Sequence, residues 1–220
     1  MEHFSKYVFK MVNILRFAGK KLDCPYTVGE HSYRVACLSM AIVDEYNIHE
    51  DKENHISMEE VLRKSLLHDL EETITGDIPS PVKQYGNLKK ELRIASEQIM
   101  KEIILPNSPR PELYLKLWIE DKENETGEVI TVSDKLEGLL TCYYEVKRGN
   151  RYLDSPLKKH MDWFQTPEAR RLLDKYSYAM TEYIAVENYL QSEEVIGTFW
   201  GRKFKALFDS VSSIGSKKAS

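Results

Sequence analysis

Two imidazoles and two carboxylates, at His31, His68, Asp69 and Asp134, are the side chains whose types and settings could do chemistry. His68 and Asp69 are neighbours. On a helix, adjacent side chains point about 100° apart, so the pair can share a site only if a ligand lies between their directions. A metal ion can lie there, with the imidazole and the carboxylate converging on it. A His-Asp dipeptide alone means little, because a helix-end histidine beside a solvated aspartate is the commoner arrangement. The other two residues change that reading. His31 begins a second apolar-periodic stretch, and Asp134 lies within a third, VITVSDKLEGLL, just after Val129, Ile130 and Val132. Burying a lone carboxylate is costly, so Asp134 is expected to be paired, protonated or bound to a metal.

Such a mixed nitrogen and oxygen set suits one first-row divalent metal. Mn, Fe, Co, Ni and Zn fit it, with Co or Mn favoured and Mg less natural beside histidines. Four protein ligands leave two positions open in an octahedral shell, one for a water made more acidic and one for a phosphoryl oxygen made more electrophilic. That is the minimum apparatus for hydrolysing a phosphate ester.

The elements that must position these residues read as helices almost throughout. Phe4, Val8, Met11 and Leu15 recur at steps of three or four and predict an opening helix, followed by a break over 19–29 that contains Pro25. A second helix is expected from Glu30 to Asn47, with Val35, Leu38 and Ile42 on one face, and a third from Ser57 to Glu72. Ser57 and Glu60 suggest a capping box at the start of the third. After the proline-bearing run TGDIPSPVK, a helix is expected from Leu88 to Ile104, with Leu92, Ala95, Ile99 and Ile103 aligned. PNSPRPE breaks it. Further helices are expected over Leu113–Ile119, Glu128–Val146 and Pro167–Leu190. No alternating strand pattern and no internal repeat is visible. The fold class is therefore all-α.

With the residues and elements placed, the order GEH31S, LLH68D69 and SD134K resembles the HD-domain metal-dependent phosphohydrolases. The longer string HDLEETITGDIPSPVK, from His68 to Lys83, is similar to their 5′-deoxynucleotidase branch, the YfbR-type enzymes. The likeness runs from about residue 15 to 149. It implies a compact HD-domain helical bundle with additional C-terminal helices. It also implies that Glu72 serves as general base or acid, and that Asp77 delivers a proton or orients the water. Arg16 and Phe17 stand where that branch typically has Arg-Trp, so the arginine would grip a phosphate while the ring lacks the indole donor. Thr75 would shape the loop, Lys83 would add charge near the phosphate, and Glu30 would stand behind the metal ligands, accepting from a ring N–H or a backbone donor.

Composition narrows the partners. The 220 residues hold 31 basic and 35 acidic side chains, a net charge of −4, so nothing global attracts a nucleic acid polymer. A small nucleotide met by a local cluster of charge is the expected substrate. Cys24, Cys37 and Cys142 form no CxxC pair, and no stretch approaches the roughly 20 apolar residues of a membrane span. A cytoplasmic location without membrane attachment is expected, and a homodimer is kept open because related enzymes are often dimers. Residues 1–190 are read as the phosphohydrolase unit. Residues 191–220 are read as an amphipathic segment through Phe199, Trp200, Phe204, Leu207, Phe208 and Val211, with a tail expected to be disordered. Kept beside the nucleoside 5′-phosphate reading are hydrolysis of triphosphates or modified nucleotides, alarmone hydrolysis, and a non-catalytic metal- or nucleotide-binding sensor.

Overall fold

In the computed structural model, which describes residues 3–120 and 122–192, the chain opens with α1 (Phe4–Lys10), tightening into a 3-10 turn at Met11–Asn13. The expected opening stripe is corrected. Tyr7 and Met11 are buried while Val8 and Leu15 are exposed, because the helix stops before Leu15, whose backbone instead pairs with Thr27. That bridge closes a loop and delivers the chain to α2 (Val28–His49). α2 starts earlier than expected, because Thr27 and Glu30 form a complete capping box: Glu30 N donates to Thr27 Oγ1, and Glu30 Oε2 accepts from Thr27 N. Such a cap contributes about 1 kcal/mol. Of the two donors expected for Glu30, a ring N–H or a backbone N–H, its carboxylate takes the backbone one, that of Thr27.

α3 spans Met58–Leu67, shorter than the helix expected from Ser57 to Glu72. His68 Nδ1 donates to Ser65 O at 2.7 Å. Beyond it the backbone tightens to i→i−3 bonds, from Leu70 N to Leu67 O and from Glu72 N to Asp69 O. The chain then makes two single turns, α4 (Glu72–Thr75) and α5 (Ser80–Lys83), separated at Gly76, whose φ of 73° suits glycine.

α6 (Leu88–Ile99) runs into a π-helical turn, Met100–Ile104. Its buried side chains are Ser96, Met100 and Ile104, so the expected stripe through Ala95 and Ile103 lies one residue out of place. α7 (Pro111–Ile119) and the long α8 (Asn124–Lys147) follow. α9 (Asp154–Phe164) has no counterpart among the expected helices: Leu157, Met161 and Phe164 are buried at helical spacing, but charged neighbours dilute the pattern. The stretch expected as one helix over Pro167–Leu190 divides at Tyr176 into α10 (Pro167–Lys175) and α11 (Ser177–Leu190).

One apolar cluster gathers Ile42, Val61, Val132, Leu136, Leu157, Phe164 and Tyr183 from α2, α3, α8, α9 and α11. A second gathers Tyr7, Val28, Leu67, Met100 and Trp118. α2 and α3 contribute to both, and His31 and His68 lie near the ends of these helices that join the second cluster. Among the described residues there is no β-strand, and no helix is long and apolar enough to cross a membrane. The amphipathic segment expected through Phe199 to Val211 lies outside the described residues.

Candidate active site

Three backbone segments bring the expected residues together. α2 carries His31 in its first turns, the end of α3 presents His68 and Asp69, and α8 presents Asp134 from its middle. His31 Nε2 lies 3.2 Å from His68 Nε2, 3.4 Å from Asp69 Oδ2 and 3.4 Å from Asp134 Oδ1. His68 Nε2 lies 3.3 Å from Asp69 Oδ2.

The ring tautomers follow from the groups behind them. His31 Nδ1 donates to Glu137 Oε2 at 2.8 Å, and His68 Nδ1 donates to Ser65 O. In the neutral rings both Nε2 atoms are therefore bare acceptors that face each other beside two carboxylates. Lone pairs so placed call for a cation between them. His31, His68, Asp69 and Asp134 could hold one, and the nitrogen and oxygen donors fit a divalent transition metal.

The electrostatics agree. Burial and Arg16 oppose charge on His31, yet Asp134, Asp69 and Glu137 hold its pKa well above the ordinary value. Burial likewise opposes charge on His68, and Asp69 outweighs it. Asp69 is held well below the carboxylate range: burial acts upward, but His68, His31 and Arg16 overcome it. Asp134 is also low, because Lys135 and His31 overcome its burial; Lys135 Nζ is 3.0 Å from Asp134 Oδ2.

Around this cluster stands a second layer of charge. Arg16 Nη1 lies 3.3 Å from Asp69 Oδ2, 3.6 Å from Glu72 Oε2 and 3.5 Å from Asp77 Oδ1. Lys83 Nζ reaches Glu72 Oε1 at 3.3 Å. Glu72 is buried; burial, then the charge of Asp69, pushes its carboxyl up to about 8. Two buried atoms here have no hydrogen-bond partner among the described residues, Arg16 Nε and Glu72 Oε2. Asp77 Oδ2 accepts from Phe17 N at 2.9 Å. That bond steadies Phe17 at a φ of 57°, a left-handed conformation disfavoured for a bulky side chain. A cavity of about 230 Å³ opens beside Arg16 and Phe17, with Lys20 and Lys21 also on its wall.

Thr75 does not join the cluster through its hydroxyl, which donates to Gly76 O at 3.1 Å and shapes the turn before Asp77. Glu137 was not expected. It is buried and accepts from His31, from Thr141 Oγ1 at 2.9 Å and from Tyr26 OH at 3.3 Å. Its position three residues after Asp134 on one helix face was the available signal.

Comparison with known proteins adds a relationship to this geometry. The family described as 5′-deoxynucleotidase YfbR-like matches residues 3–179. A 5′-deoxynucleotidase of Vibrio vulnificus is 26% identical over 185 residues, covering 80% of this chain and 92% of that one. Among solved structures, an HD-domain phosphohydrolase of Listeria innocua has a TM-score of 0.67 at 22% identity, covering 96% of this chain and 97% of that one. A cyanophage S-2L HD phosphohydrolase, described as bound to dA and one catalytic Zn²⁺ ion, has a TM-score of 0.61 at 18% identity, covering 84% and 96%. The likeness to these two structures is one of fold, the expected all-α HD-domain bundle.

Proposed function

Because this chain belongs to the YfbR-like 5′-deoxynucleotidase family, we propose that it removes phosphate from 2′-deoxynucleoside 5′-monophosphates with one divalent metal as cofactor. The observation that carries this reading is the convergence of His31, His68, Asp69 and Asp134 directly beside Arg16 and Glu72.

His31, His68, Asp69 and Asp134 would hold the metal, with Glu137 fixing the His31 ring from behind. When bound, the metal supplies Lewis acidity that polarises the phosphoryl group and makes water a better nucleophile at neutral pH. Arg16 offers paired donors to the phosphate oxygens, and Lys83 adds positive charge from α5. Glu72, carboxylate toward the site and not a ligand, takes the proton of the attacking water. The water oxygen bonds to phosphorus as the bond to the sugar 5′-oxygen breaks, and the proton that Glu72 has taken passes to the departing oxygen. Asp77 acts as a positioning residue in this reading, since its two oxygens engage Phe17 N and Arg16. Thr75 acts through the loop it shapes, and Phe17 through a ring beside the phosphate-binding arginine. The three unpaired cysteines suit the reducing cytoplasm.

Co²⁺, Mn²⁺ and Zn²⁺ all suit the donor set, and the Zn²⁺ of the cyanophage neighbour supports a transition metal over Mg²⁺. The test is phosphate release from a panel of nucleoside mono- and triphosphates with each cation. Release from deoxynucleoside 5′-monophosphates, lost on chelation and restored by the cation, is expected. Turnover that survives exhaustive chelation would overturn the metal-dependent reading.

A further inference from the structure

We propose that His160, on α9, hydrogen-bonds a sugar hydroxyl of the bound nucleotide and so sets substrate specificity; this rests on the nucleotidase reading above. Its ring is seated on bare backbone. A Cβ placed on Gly138 would lie 2.4 Å from His160 Cε1 and 2.8 Å from Nε2, so only glycine lets the imidazole take this place. Gly138 follows Asp134 by four residues on α8, which puts the ring one helical turn, about 5.4 Å, along the same face from a candidate metal ligand.

α9 is also tied to the loop that carries the other site residues. Lys159 Nζ donates to Ser80 Oγ at 2.8 Å, and Ser80 opens α5, which ends at Lys83. α9 therefore bridges α8 and that loop, with the His160 ring on its α8 side, and the charged groups acting on His160 include Lys135, Asp134, Glu137 and Arg16.

Neither nitrogen of the His160 ring has a hydrogen-bond partner among the described residues. Burial, then Lys135, holds the imidazole down to about 4, so at neutral pH it is uncharged. A neutral ring offers one donor and one acceptor, which suits a hydroxyl and not a phosphate. The phosphate has its own cations in Arg16 and Lys83. The sugar is the next group along a 5′-nucleotide, and it carries the hydroxyl that a neutral imidazole can read.

The experiment compares a 2′-deoxynucleoside 5′-monophosphate with its 2′,3′-dideoxy counterpart on the metal-loaded enzyme. His160→Ala is expected to raise KM for the deoxy substrate roughly tenfold, the worth of one neutral hydrogen bond, with kcat nearly unchanged. The wild type should lose the same factor on the dideoxy substrate, and His160→Ala should add nothing further. His160→Gln, which keeps a donor and an acceptor, should recover part of the loss and guards against a folding defect. An unchanged KM in His160→Ala, or an equal penalty on both substrates, overturns the inference while leaving the nucleotidase reading intact. A wild-type protein inert toward every nucleotide overturns both.

Discussion

Two buried polar clusters stand one helical turn apart near the end of α3, and they differ in whether the protein completes them. Lys64, fully buried, points Nζ at Thr126 Oγ1 at 2.8 Å, Glu60 Oε1 at 3.1 Å and Asn124 Oδ1 at 3.4 Å. Its three donors are answered within the chain. Four residues later, His68 enters a cluster in which, among the described residues, Arg16 Nε and Glu72 Oε2 have no hydrogen-bond partner, Glu72 Oε2 having the Arg16 guanidinium at 3.6 Å, and which sets two imidazole nitrogens against each other. A buried polar atom without a partner costs about 1–3 kcal/mol. The closed cluster therefore reads as part of the fold, and the open one as a site completed by ligands.

The comparison can be broken by substitution in either cluster. Asp69→Asn in the open cluster should abolish metal retention and phosphate release together while leaving the far-ultraviolet helical signal in place. Elemental analysis of the purified variant beside its turnover checks this; activity without bound metal would sink the assignment.

Glu72→Ala should keep the metal yet slow turnover by roughly 100-fold, the scale of general acid–base catalysis. The same role fixes a pH dependence. The base works only when deprotonated, so with its pKa raised toward 8 the wild-type rate should climb as pH rises, and a bound cation draws that limb to lower pH. A flat profile in the variant against a rising one in the wild type is the result to look for.

Lys64→Met in the closed cluster should do the opposite. It should lower the unfolding free energy by about 1–3 kcal/mol, because Thr126 and Glu60 lose a buried partner, and leave kcat and KM of the folded protein unchanged. Denaturant melts and steady-state kinetics on one preparation separate the two effects. A Lys64→Met protein of full stability and poor activity would erase the distinction between the clusters.

Much of the site was legible in the chain because metal chemistry demands particular residue types. His31, His68, Asp69 and Asp134 could be picked out before any geometry, and Glu72, Asp77 and Arg16 followed from the HD-domain resemblance. The helices with clean apolar periods, α2, α7 and α8, were also visible. Less visible was whatever depends on one side chain meeting a distant backbone. Glu137 carries an ordinary surface composition in LEGLL, and only the packing of α2 on α8 makes it the acceptor for His31. The end of α3 at Leu67 reflects a local turn at His68 that periodicity does not report. α9 was hidden because Lys158, Lys159, His160 and Asp162 interrupt its apolar spacing.

By itself the sequence determined that this chain is helical, which family it resembles and which side chains could gather a divalent cation. Those properties are written in residue types and in short spacings that local geometry converts directly into faces of a helix. Tertiary structure alone decided which carboxylate stands behind which imidazole, that Asp77 grips the Phe17 backbone, and that His160 lies over Gly138. These pairings join residues far apart along the chain, and only close packing of helices chooses among the many such meetings that a sequence permits.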